Sequence, residues 1–144
     1  MTYSCAYFRN PEMSLEMAQQ AKYEHLCRKL RLTSGDRLVD IGCGWGGMLI
    51  YAARRHGITG VGYTLARNQY DYAREQARNT GVDDRVSFVL EDYRSARGSF
   101  DKFISIGMFE HVGKRYHPVF FDTVRKLLKP GGIGVLHTIG KDHE

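Results

Sequence analysis

A chain of 144 residues has room for one domain, and a domain near that length buries roughly 70% of the surface its unfolded form exposes. With 42% hydrophobic and 26% charged residues it reads as an ordinary globular mixture. No apolar run reaches the ~18 residues of a membrane span, and Met1-Thr2-Tyr3-Ser4-Cys5 lacks the basic-then-apolar pattern of a secretory signal. The expected location is therefore cytoplasmic. The net charge of +5 reads as a solvated surface, or as attraction to an anionic phospholipid surface peripheral to the inner membrane face. No dense Lys/Arg run points to nucleic acid.

In chain order, Ser14 is a plausible N-cap for a helix over residues 14–30, with Leu15, Ala18, Leu26 and Leu30 near one face. Thr33-Ser34-Gly35-Asp36 breaks that pattern. A strand from Arg37 to Ile41 then enters a glycine-rich turn, and a helix over 46–56 stops at Gly57. A second strand is expected from Ile58 to Tyr63, with a helix over 67–79 ended by Gly81. Val86 to Leu90 and Lys102 to Ile106 read as the third and fourth strands. The helix over 117–129 has Phe120, Phe121, Val124, Leu127 and Leu128 on one face and is ended by Pro130-Gly131-Gly132. Ile133 to Thr138 is the fifth strand. Strands alternating with amphipathic helices imply an α/β fold, a mostly parallel sheet covered on both faces. Ligands of such sheets sit beyond the carboxyl ends of the strands.

Cys5, Cys27 and Cys43 form no CxxC pair and the six histidines are scattered, so neither a disulfide framework nor a metal site is expected. The turn Asp40-Ile41-Gly42-Cys43-Gly44-Trp45-Gly46-Gly47 is the first feature that carries chemistry. Its glycines let the backbone bend sharply and approach a ligand, and the following helix offers free N–H groups. Gly42, Gly44 and Gly47 satisfy GxGxxG; Asp40, Gly42 and Gly44 begin the tighter DxGxG of methyltransferases. A nicotinamide site expects an acid near the end of the second strand, and none stands from Gly57 to Tyr70, where Thr64, Asn68 and Gln69 occur instead. Asp92, after the third strand, can accept from an adenine amino group or be an ordinary turn acid. Glu110 alone would be a charge at a helix start, and His137 alone a core histidine; together they fall at the carboxyl edge beside the glycine turn.

Taken in order, Tyr3-Ser4-Cys5-Ala6-Tyr7-Phe8, the Asp40 to Gly47 turn, Thr64-Leu65, Asp92-Tyr93-Arg94, Ser105 to Gly113 with its GMFEHVG, and Leu136 to Gly140 (LHTIG) resemble the cyclopropane fatty acid synthase family, which includes the mycolic acid cyclopropane synthases. The resemblance implies a Rossmann-like class I methyltransferase core over 1–144, with the N-terminal motif and helix in 1–34 and the α/β part in 35–144. It implies S-adenosylmethionine as cofactor, held by Tyr3, Ser4, Asp40, Gly42 and Gly44 at the methionine end, by Thr64, Leu65 and Gln69 at the ribose, and by Asp92 and Tyr93 at the adenine. It implies a bicarbonate surrounded by Cys5, Glu110, His137 and, through its backbone, Ile139. The implied reaction is methyl transfer to a cis double bond of a phospholipid acyl chain with closure of a cyclopropane ring. Tyr7, Phe8 or Phe109 would stabilise the cation by their ring faces.

The family continues past the fifth strand and carries a segment before the TYSCAYF motif, so both ends look cut, as in a truncated gene product or expressed fragment. A sheet ending at its fifth strand leaves an open edge that invites homo-oligomer formation. Two other readings stay open: a related methyltransferase acting on an amine or lipid carbon without ring closure, and a non-catalytic cofactor-binding module.

Overall fold

A computed structural model describes residues 2–140. Met1 and residues 141–144, at the two boundaries just discussed, lie outside the described residues. The chain runs α1 (Leu15–Lys29), β1 (Arg37–Ile41), α2 (Gly47–His56), β2 (Thr59–Thr64), α3 (Arg67–Asn79), β3 (Val86–Leu90), β4 (Phe100–Ile106), α4 (His117–Leu127) and β5 (Leu128–His137). Short 3-10 turns follow β3 (Tyr93–Ser95) and β4 (Phe109–His111), and a third (Lys114–Tyr116) leads into α4. All strand pairs are parallel, in the order β3-β2-β1-β4-β5. The order reverses between β1 and β4, which places a crevice at their carboxyl ends.

Strand alternation divides the core. Leu38 and Ile104 point to one face and pack with Leu26 of α1, Leu49 of α2 and Ala73 of α3. Val39, Ile41 and Phe103 point to the other face and pack with Phe120 and Leu127 of α4. Helices α1 to α3 thus cover one side of the sheet and α4 the other. Phe120 is fully buried and meets Phe103, Phe109, Phe121 and Tyr93 edge-on, at centroid separations of 5.0 to 6.0 Å. That cluster ties α4 to the turns after β3 and β4.

Two expectations fail for clear reasons. Leu15 is 64% exposed, because α1 turns Ala18, Ala21, Lys22, Leu26 and Cys27 inward. Ser14 does cap that helix, its hydroxyl accepting from the Met17 N–H at 3.2 Å. The last helix ends at Leu127, not 129, and β5 begins at Leu128, not Ile133. Pro130 disfavours helical geometry at Lys129, and Leu128 is already extended (ψ 133°). The Pro130-Gly131-Gly132 stretch lies inside β5, beside a register shift at Phe100/Lys102, where an edge strand tolerates proline.

One glycine fixes the junction of sheet and helix. Gly46 caps α2 with φ +82°, and a Cβ there would lie 2.8 Å from both Ala73 Cβ and Phe88 Cζ. Gly46→Ala is expected to destabilise the fold by about 2–4 kcal/mol, combining backbone strain with overpacking. Gly44→Ala (φ +55°, with nothing within 4 Å of the added Cβ) carries the strain alone and is expected to cost about 1–2 kcal/mol. Urea denaturation of the two variants measures the difference.

Candidate active site

The carboxyl ends of β1, β2, β3 and β4 border a cavity of about 430 Å³. Its floor is the turn after β1, where Gly42 (φ +76°) and Gly44 (φ +55°) adopt left-handed backbone. A Cβ on Gly42 would sit 2.6 Å from Met108 Cγ, so the bare backbone makes the room. At the end of β1, Asp40 lines the cavity yet is only 2% exposed. Its Oδ1 has no hydrogen-bond partner, and burial pushes its pKa up to about 7. A desolvated, unpaired carboxylate at the bottom of a cavity calls for a cationic donor.

One wall is the strap of residues 2–7, laid along α1. The Tyr7 N–H donates to the Ala18 carbonyl at 3.1 Å. The Ser4 carbonyl accepts from Gln19 Nε2 at 3.1 Å, and Ser4 Oγ from Lys22 Nζ at 2.7 Å. Thr2 Oγ1 and the Tyr23 hydroxyl share a 2.9 Å hydrogen bond. Thr2, Tyr3 and Ser4 therefore face the cavity from outside α1, with Tyr3 near the Trp45 ring at 6.2 Å.

The opposite wall comes from β2. Thr64 Oγ1 donates to Gln69 Oε1 at 3.0 Å, leaving the Gln69 amide N–H groups to donate elsewhere, and Leu65 is exposed at the rim. After β3, Glu91 and Tyr93 line the cavity. Asp92 is absent from that lining: it caps the following 3-10 turn and accepts from the Arg94 backbone N–H, Nε and Nη2, each at 2.8 Å. Those bonds hold its carboxyl below the ordinary carboxylate range.

The four residues expected around bicarbonate lie apart from this cavity's lining. Glu110, in the turn after β4, accepts at Oε1 from the Ile139 N–H at 2.7 Å. That amide was expected to face the anion; here it closes the loops after β4 and β5 onto each other. Glu110 is exposed; the desolvation it does feel works to raise its pKa, but hydrogen bonds from its own backbone, from Ile139 and from the Thr138 side chain outweigh it and hold the carboxyl below its usual range. His137 ends β5; its Nδ1 is buried without a partner, and its carbonyl accepts from the Gly107 N–H at 2.9 Å. Gly107 in turn approaches Ser4, so the strap that bears exposed Cys5 meets the end of β4. The ring faces of Tyr7 and Phe109 are partly covered, by His25 at 5.0 Å and His117 at 4.3 Å, while Phe8 is half exposed.

Sequence reasoning missed Tyr23, Trp45, Glu91, Met108 and His111 as lining residues. Trp45 Nε1 is buried without a partner. It also missed Lys22, although the signal was present: Lys22 falls four residues from both Ala18 and Leu26, a charge on the apolar stripe of its helix. Among the described residues, no helix is long and apolar enough to cross a membrane.

Comparison with known proteins identifies the family. The chain is 43% identical to a probable fatty acid methyltransferase of Pseudomonas putida, over 99% of this chain and 37% of that protein. It is 46% identical to the cyclopropane-fatty-acyl-phospholipid synthase of Escherichia coli, over 97% of this chain and 35% of that protein. The structure of the cyclopropane synthase MmaA2 from Mycobacterium tuberculosis superposes with a TM-score of 0.91 at 37% identity, covering 95% of this chain and 48% of that one. The chain therefore spans about a third to a half of the length of these relatives. The family model for mycolic acid cyclopropane synthetase matches residues 1–144, and the chain belongs to that family.

Proposed function

We propose that the chain binds S-adenosylmethionine in the cavity at the β1–β4 switch point and serves methyl transfer to a cis double bond of a phospholipid acyl chain, forming a cyclopropane. The observation that carries the cofactor reading is the buried Asp40 carboxylate with its unpartnered Oδ1, beside the glycine turn. A primary ammonium satisfies it; a dinucleotide phosphate would be repelled. Ser4 on the strap suits the carboxylate of the same amino-acid end, and the free amide N–H groups of Gln69 suit ribose hydroxyls. At the adenine end Tyr93 lines the cavity as expected, and Glu91 would serve in place of Asp92, whose carboxylate is occupied by Arg94. A solved mycolic acid cyclopropane synthase complexed with S-adenosylhomocysteine, 35% identical with a TM-score of 0.89, supports this choice.

When bound, the cofactor supplies an electrophilic methyl group, whose transfer to an alkene followed by loss of a methyl proton closes a three-membered ring. The protein's part is to place the alkene, exclude water and hold the proton acceptor. His137 Nδ1 is buried without a hydrogen-bond partner, and in the tautomer that carries its proton there it would donate to a small anion such as bicarbonate. Ionised Glu110, one strand end away, would accept a hydrogen bond from it. Phospholipid acyl chains are favoured over mycolic acids because identity is 46% to the phospholipid enzyme and 36% to cyclopropane mycolic acid synthase 1 of M. tuberculosis. The +5 charge and the exposed Tyr7 and Phe8 suit contact with an anionic bilayer. Among the described residues β5 edges the sheet, with Lys129 and Pro130 in its first half.

Calorimetric titration with S-adenosylmethionine and separately with NADH tests the cofactor. Micromolar binding of the first alone is expected; binding of NADH alone would overturn the reading. With unsaturated phospholipid vesicles, one carbon is gained and the unsaturation is lost. Retained unsaturation would point to methylation without ring closure.

A further inference from the structure

We propose that Lys22 is a positioning residue for the amino-acid end of the cofactor: its ammonium fixes the Ser4 hydroxyl as a donor into the cavity, so that Ser4 receives a carboxylate. The inference rests on the S-adenosylmethionine reading above. Lys22 is 3% exposed in the middle of α1, where an ammonium is costly to bury. Among the described residues no carboxylate lies within ion-pair distance of it. Its Nζ donates to Ser4 Oγ at 2.7 Å and stands 5.1 Å from the centre of the Tyr23 ring. The Ser4 carbonyl is taken by Gln19. Both Ser4 oxygens thus accept from α1, and an ammonium has no lone pair to accept in return. The Ser4 hydrogen is left to donate, and Ser4 lines the cavity. Asp40, across the same cavity, can only accept while ionised. The two polarities together orient an amino acid, carboxylate to the strap and ammonium to β1.

Deprotonation reverses the arrangement. A neutral Lys22 amine gains a lone pair and can take the Ser4 hydrogen for itself. Burial lowers the Lys22 pKa to about 8, opposed by Cys5 on the strap; Tyr23 beside it and Asp40 beyond Tyr23 are the other titratable groups nearby. Affinity for the carboxylate should therefore fall as pH rises through that value.

The test measures binding of S-adenosylhomocysteine and of 5′-methylthioadenosine, which keeps the nucleoside and lacks the amino-acid end. Lys22→Met is expected to weaken the first roughly ten- to a hundredfold and the second by less than about twofold. From about pH 7 to about pH 9 the wild type should lose affinity for S-adenosylhomocysteine more steeply than Lys22→Met, whose remaining slope reports the ligand's own amine and the ionisation of Asp40, both common to the two proteins. Ser4→Ala should lose the same extra slope, and adding Lys22→Met to it should cost little more. Equal loss for both ligands, no loss for either, or additive effects of the two substitutions would overturn the proposal. If Lys22→Met does not fold, the pH slopes of wild type and Ser4→Ala decide it. A wild type that binds neither ligand overturns the cofactor reading itself, a result distinct from all of these.

Discussion

Asp40→Asn is expected to make the ligand-free chain more stable while removing most of its affinity for S-adenosylmethionine. Asp40 is 2% exposed, Oδ1 is unpartnered, and burial raises its pKa from 3.8 to about 7. A carboxyl whose folded pKa lies above its unfolded value binds protons more tightly in the fold. Its contribution to stability is complete below about pH 4 and is lost as pH rises through about 7. At pH 8 the ionised wild type bears that full penalty, on the order of 4 kcal/mol for a shift of this size. Asparagine removes the charge but still buries a polar amide, so the net gain is about 1–3 kcal/mol at pH 8, shrinking towards zero near pH 5. Denaturation midpoints at the two pH values measure it. Affinity should fall roughly tenfold to a hundredfold, because the ammonium loses its charged acceptor. Below pH 7, cofactor binding by the wild type should release a proton that the variant does not. A variant that loses stability at pH 8 would mean Asp40 is paired in the ligand-free protein, and the cavity reading would fail with it.

This tension between stability and binding explains which features were legible. The Asp40 to Gly47 turn can be read from residue types because left-handed backbone at Gly42, Gly44 and Gly46 demands glycine. The alternation of strands and helices is likewise local, and β1, β3 and α3 fall where periodicity puts them. Residues whose role depends on a partner elsewhere were harder. Glu91 and Asp92 are neighbours at a strand end, where a shift of one residue changes the face a side chain takes. Arg94 settled the matter by claiming Asp92, an Asx-type contact two residues away. Leu128 joined β5 instead of α4 because Pro130 removed helical geometry ahead of it and β4 offered an edge to pair with. The bond between Glu110 and Ile139 joins positions 29 apart in sequence, beyond the reach of any periodicity.

That same bond shapes the expected result of Glu110→Gln: turnover falls at least about a hundredfold, while the affinity for S-adenosylmethionine stays within about twofold. Glutamine keeps an oxygen that accepts from the Ile139 N–H, so the loops after β4 and β5 stay joined. The negative charge is lost, and with it the strong acceptor that would hold the proton-abstracting anion beside His137. Glu110 does not line the cofactor cavity, so binding there has no reason to change. Glu110→Ala separates the two roles, since it removes both charge and acceptor and should loosen the loop around Ile139 as well. Paired measurements of binding and of ring formation on unsaturated phospholipid distinguish the cases. Parallel loss of binding and turnover in Glu110→Gln would assign the carboxylate to loop architecture. Unchanged turnover would leave the bond to Ile139 as its whole function and move the search for the proton acceptor's anchor to His137.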